Sequence, residues 1–201
     1  SGEHLLKSSV ALLGVGAITN FKAVSPEQKA ALWQLGANPK MRLAEIDDAV
    51  KNGEITSTQA EARKKVINDA SKIIQTMPTK NMQGKPLTDK QRVDYFYNLL
   101  IQDKVKSEKK SLPTQQVKKI EYAAMVSDHL NNLIVDPQDE TQLNGRIKEL
   151  NKILKTDEND IDAKAELDAI NIHLENLAQE KEPTKTPEEI LTGKPAQISA
   201  E

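Results

Sequence analysis

The sequence predicts an all-α protein, an elongated array of amphipathic helices and antiparallel helical hairpins. Three observations lead there. Apolar residues recur at three- and four-residue spacing along most of the 201 residues, the signature of a helix with one buried face. Ser/Thr-x-x-Gln capping signatures open several of these stripes, and Gly or Pro closes them. The third observation is the poverty of bulky side chains. Apolar residues make up 37%, and aromatics contribute only Phe21, Trp33, Tyr95, Phe96, Tyr97 and Tyr122. Aromatic residues bury the largest areas, so a thick core is hard to fill. Leu, Ile, Val and Ala in thin seams between paired helices are the expected substitute.

The elements follow in order. Residues 1–24 form an apolar N-terminal segment, of which 10–18 carry no charge. A membrane-spanning helix needs about 20 apolar residues, and Lys7 and Asn20 trim this run well below that. It is expected to be buried against protein, with shallow lipid contact through residues 4–21 as the alternative. Ser1-Gly2 reads as a cut end or a tag remnant rather than a natural start.

A helical lobe is expected over 25–78. Ser25-Pro26-Glu27-Gln28 combines a capping box with Pro at the first helical position, and this helix should stop near Gly36. A second helix over 41–52 carries Leu43, Ile46 and Val50 and ends at Gly53. Thr56 with Gln59 opens a third, with the stripe Ala60, Ile67, Ala70, Ile74 and Met77, ended by Pro78. The polar stretch 79–86, containing Gly84 and Pro86, is the candidate hinge.

Residues 87–180 are expected to form a hairpin and coiled-coil region. Thr88 and Gln91 begin a helix with Val93, Tyr97, Leu100 and Lys104 on one face, broadened by Phe96 and Ile101. After Pro113 the next helix uses Ile120, Ala123, Leu130, Leu133 and Ile134, and stops at Asp136-Pro137. The most regular signal comes last. Leu143, Ile147, Leu150 and Leu154, then Ala163, Leu167, Ile170, Leu174 and Leu177, recur at alternating spacings of four and three. Such spacing is a coiled-coil seam, and the polar residues 155–160 leave room only for a tight reversal, hence an antiparallel hairpin. His129-Leu130-Asn131-Asn132-Leu133 resembles His173-Leu174-Glu175-Asn176-Leu177, two phrases that either descend from a duplication or solve one packing problem twice. A linker and a short terminal helix are expected over 181–201.

Little in the chain points to chemistry. Formal charge is −2, with 28 basic and 30 acidic residues intermixed, so specific nucleic-acid binding is not implied. Cysteine is absent, which removes thiol nucleophiles, disulfides and cysteine-ligated zinc. His4, His129 and His173 lack partners at metal-binding spacing, and the neighbouring Asp128 and Glu175 read as surface companions. The acidic stretch 157–168 fails the calcium-loop pattern. Its sixth position is Asp162 where glycine is needed, and its twelfth is Asp168 where glutamate is needed. Gly14-Val15-Gly16 lacks the third glycine of a dinucleotide loop, and the basic run 104–110 has no interleaved aromatics. No catalytic residue, metal or cofactor is expected.

The phrases AEIDDAVKNGEITSTQAEA (44–62), LTDKQRVDYFYNLLIQDKVKSEKK (87–110) and KKIEYAAMVSDHLNNLI (118–134), with the lead-in SSVALLGVGAITNF, resemble helical segments of very large phage proteins. The family is the polyvalent or internal virion proteins of phages infecting Bacteroidetes, the crAss-like group included. The likeness covers roughly residues 10–177 and lies in helix, turn and charge pattern. It implies a non-enzymatic structural or cargo protein of the virion interior. Such a protein reaches the host cytoplasm or envelope on infection, and its partners are other virion proteins or copies of itself. No functional residue carries over. Read without the resemblance, the same helices also suit a bacterial cytoplasmic adaptor or a secreted effector with a soluble protein partner.

Overall fold

The structure, a computed structural model, describes residues 12–21 and 23–180 of the chain. The protein is all-helical. The described residues form α1 (Val15–Ile18), α2 (Pro26–Ala37), α3 (Pro39–Lys51), α4 (Ser57–Thr76), α5 (Asp89–Glu108), α6 (Thr114–Val135), α7 (Glu140–Thr156) and α8 (Ile161–Glu180). Two compact units meet in sequence between Met77 and Pro78. The terminal helix expected after residue 181 and the start of the N-terminal apolar run lie outside the described residues. Among those residues, no helix is long and apolar enough to cross a membrane.

In the first unit α4 packs on both α2 and α3. Ser25 and Thr56 open α2 and α4 with complete capping boxes. The Gln28 amide donates to Ser25 Oγ at 3.2 Å and the Gln59 amide to Thr56 Oγ1 at 3.1 Å. Each glutamine side chain answers by accepting from its cap's backbone N–H, at 2.9 and 3.0 Å. Satisfying these otherwise orphaned donors is worth about 1 kcal/mol per cap. Asn38 serves as C-cap of α2 and N-cap of α3, and Pro39 starts α3 two residues earlier than its apolar stripe suggests. At the far end of α3, Gly53 takes φ +73°. The amides of Glu54 and Gly53 then close on the Ala49 and Val50 carbonyls at 2.9 and 3.1 Å, a Schellman ending that needs the left-handed residue.

The helix α2 stops at Ala37, near Gly36 as expected, and Gly36 itself lies buried in the last turn. A Cβ at Gly36 would sit 2.7 Å from Ala70 Cβ and 2.8 Å from the Ala70 carbonyl carbon. The glycine is therefore there to let α2 and α4 cross at backbone contact. The N-terminal segment is not one continuous apolar helix in its described part, because α1 has only four residues. The Thr19 hydroxyl donates to the Val15 carbonyl at 2.7 Å, competing with helix continuation. Glycines 14 and 16 each cost a helix about 1 kcal/mol relative to alanine. Leu13, Ile18 and Val24 are nevertheless buried by the chain itself.

The second unit begins at Pro78, beside the stretch expected to be a hinge, and several hydrogen bonds hold that stretch within the unit. The Asn81 side-chain oxygen accepts from the amides of Gln83 and Lys85 at 2.9 and 3.0 Å. Gly84 turns at φ +81°, the Leu87 amide returns to the Thr79 carbonyl at 2.9 Å, and the Met82 amide donates to the Val135 carbonyl at 2.7 Å. That last bond occupies one of the orphan carbonyls at the end of α6. In α5 the buried face runs through Phe96, Tyr97, Leu100, Ile101 and Val105. Lys104, assigned to that face from spacing, instead pairs with Glu108 at 2.7 Å. Asn98 of α5 meets Asn131 of α6, and Lys109 meets Glu121, so the two helices run in opposite directions.

Candidate functional site

The site with most structure around it is α8, a helix buried on two faces. Its first face is the heptad seam. Leu143 and Leu150 of α7 and Ala163 and Ile170 of α8 form a buried cluster. Ile147, Leu154, Leu167, Leu174 and Leu177 pack against it half-buried, and Leu133 of α6 joins them. Asp139, unforeseen as a cap, opens α7 by accepting from the Gln142 amide at 2.8 Å. Its D-x-x-Q pattern is a capping box like the Ser/Thr ones. The reversal 157–160 is held by its own carboxylates. Asp157 accepts from the Asn159 amide and Asp160 from the Ala163 amide, both at 3.0 Å, so two oxygens that a cation would need are already engaged. Among the described residues no cluster of His, Asp and Glu suited to a metal ion occurs.

The second face of α8 consists of Ala165 and Ala169, both fully buried. These positions lie away from the seam by helical spacing, and α8 makes extensive contact with α6. Two side-chain bonds bracket Ala165. His129 Nε2 lies 2.9 Å from Asp162 Oδ1, and the Tyr122 hydroxyl donates to Asp168. Burial, together with that carboxylate, pushes the Tyr122 phenol well above its ordinary value. Alanine pairs give no apolar stripe of large residues, so sequence reasoning took α8 as one-faced. The only prior signal was the spacing of four between Ala165 and Ala169. His129 also finds its partner on α8 and not in adjacent Asp128.

Where α6, α7 and α8 converge there is a cleft of about 190 Å³, lined by Leu133, Leu143 and Ile170 below and by His129, Arg146 and Glu166 among its polar rim. Small-molecule sites are typically about 300–1,000 Å³. Arg146 Nε and Nη2 donate to the two Glu166 oxygens at 2.5 and 2.9 Å, locking α7 to α8 bidentately. Its Nη1 reaches Glu149 of its own helix at 3.0 Å. His129, Arg146 and Glu166 are all committed to tethering helices, and no hydroxyl, thiol or amine nucleophile lines the cleft.

A third polar feature lies between α5 and α6. Asn98 Nδ2 donates to Asn131 Oδ1 at 3.0 Å, and Asn131 Nδ2 donates to the Tyr95 carbonyl at 3.3 Å. Ser127, one turn before Asn131, is fully buried with no hydrogen-bond partner for its hydroxyl. Burial pushes the nearby Tyr97 phenol up to about 12. The basic run 104–110 is partly neutralised, since Lys104 pairs with Glu108 and Lys109 with Glu121 at 3.6 Å.

Compared with protein-family models, curated proteins and solved structures, the chain matches none.

Proposed function

We propose that the protein is a non-enzymatic structural or cargo component of a phage particle, working through helix–helix packing in an extended array of antiparallel hairpins. The observation that carries the packing role is α8, covered by α7 through a leucine seam and by α6 through two alanines. His129, Arg146 and Glu166, gathered there, each bond to a side chain across a helix pair, and the cleft they line is smaller than a typical small-molecule site. The phage assignment draws on the resemblance of residues 10–177 to internal virion proteins. Delivery into the host, with membrane contact through residues 4–21, belongs to the same proposal.

Mass spectrometry of density-purified particles tests it directly. The chain should appear in particle fractions at fixed copy number relative to the major capsid protein. Recovery only from particle-free host lysate, as a monomer or bound to one soluble protein, would favour a bacterial adaptor or secreted effector instead. Liposome flotation of the full chain and of a form lacking residues 1–19 tests the membrane part, which predicts that only the full chain floats.

A further inference from the structure

Met82 is the most exposed large apolar side chain among the described residues, at 75%, and it is held in that position. It lies in the stretch 79–86, where the Asn81 side chain accepts from two amides and the Met82 amide donates to the Val135 carbonyl at 2.7 Å. The backbone of this loop serves the fold, while the side chain at its tip is left to solvent. Val135 is followed by Asp136, which lines the cleft between α6, α7 and α8 with Asn132 and Gln138. An apolar knob and an apolar-floored hole therefore stand side by side. Opposite charges do the same. Lys80 and Lys85 flank Met82 in a loop without an acid, and Asp136, Asp139 and Glu140 follow one another at the start of α7. Lys80, Lys85, Asp136 and Glu140 are exposed, and among the described residues none of these four side chains enters an ion pair. We infer that this face binds a second copy of the chain about a two-fold axis. Met82 of each copy enters the cleft of the other, and Lys80 and Lys85 meet the other copy's Asp136 and Glu140.

A two-fold axis sets one surface against itself, so each feature needs its complement within that same surface. Here knob and hole, base and acid, all occur together. The cleft of about 190 Å³ is floored by Leu133, Leu143 and Ile170, which suits a single apolar side chain. Methionine fits an irregular hole well, because its unbranched thioether turns about three bonds, and it is enriched in protein interfaces. A loop already tied by hydrogen bonds loses little freedom on docking, which lowers the cost of association. His129 and Arg146 on the rim keep their bonds to Asp162 and Glu166, so the walls stand ready before the partner arrives. The charge pairs lie at the exposed edge, where they orient the encounter more than they tighten it and where salt screens them. A dimer of this kind requires nothing of the phage assignment, since the whole surface belongs to the second unit.

Sedimentation equilibrium of the full chain, from about 1 to about 200 μM, reads the association. A monomer–dimer equilibrium is expected, weakened by a factor of about three or more between about 0.05 and about 0.5 M salt. Met82→Asp should weaken it about tenfold or more, because the new carboxylate would have to enter an apolar floor. The site is exposed in the monomer, so the melt of this variant should match the parent's. A chain carrying Lys80→Glu and Lys85→Glu, and another carrying Asp136→Lys and Glu140→Lys, should each dimerise poorly alone and pair with each other when mixed. A parent that stays monomeric over the whole range overturns the inference, as it would if Met82 filled its own cleft. A dimer that Met82→Asp leaves equally tight also overturns it and moves the association to another surface, residues 10–18 among them. So do the two charge-reversed chains if mixing them restores nothing.

Discussion

The two units solve helix packing in opposite ways. In the first, α2 and α4 cross at Gly36 and Ala70, where absence of a side chain brings the backbones together. In the second, α7 and α8 meet through leucines at heptad spacing, and α5 and α6 meet across a buried Asn98–Asn131 bond. A backbone crossing gains dispersion contacts only while the gap stays empty of extra atoms. A leucine seam gains from the side chains themselves, about 1.5–3 kcal/mol for each large one buried. The first unit should therefore be broken by adding atoms and the second by removing or charging them.

The largest effect is expected at Leu150, which is only 1% exposed in the centre of the seam. Leu150→Asp places an unpaired carboxylate among leucines and should cost several kcal/mol, on the order of 4 or more. Circular dichroism melts should lose the part of the transition belonging to α7 and α8. A melt identical to the parent's would remove the seam as the organising feature of the unit.

Next comes Gly36→Ala, one methyl group in the wrong place. Its nearest neighbours at 2.7 and 2.8 Å are a side chain and the backbone of α4, so α4 must move. The cost should be about 1–3 kcal/mol. Trp33 is the single tryptophan and lies on α2, so its fluorescence in urea reports on this unit. A lower midpoint by fluorescence with little change in exchange protection of α7 would keep the contrast between the units. An unchanged Trp33 midpoint would show that the crossing yields without cost.

Asn131→Ala leaves the buried Asn98 amide without its acceptor, at about 1–3 kcal/mol. Replacing both asparagines with leucine should recover much of that loss in urea unfolding, since no polar group is then stranded. Failure to recover would mean that the amides also set the register of α5 on α6. The smallest effect is expected at Ser127, whose buried hydroxyl has no partner. Ser127→Ala should raise stability by up to about 1 kcal/mol. A loss instead would point to a hydrogen bond that forms when the core breathes.

Much of this was legible in the residues. Ser25, Thr56 and Thr88 with their glutamines mark three helix starts, because a cap is a local bond between groups three residues apart. The nine heptad residues share one cluster, because a spacing of three and four places side chains on one side of any helix. What was not legible was of another kind. Gly36 marked the end of its helix, but nothing local announces a neighbouring backbone 2.8 Å from its missing Cβ. Residues 79–86 read as a hinge, and the boundary between the units falls beside them, but their turn residues do not show what straps them. The strap is a single bond from Met82 to Val135, 53 residues on.

The sequence by itself determined the all-helical class, the positions of most helices and the face that α7 and α8 share. These depend on propensity, capping and periodicity, which act within a few residues of chain. Only the tertiary structure decided that α8 has a second buried face at Ala165 and Ala169, that His129 belongs to Asp162, and that Lys90 joins Glu180. A small side chain or a lone charge has no pattern of its own. What it does depends on which distant residue the fold sets against it, and that partner lies outside the reach of any local rule.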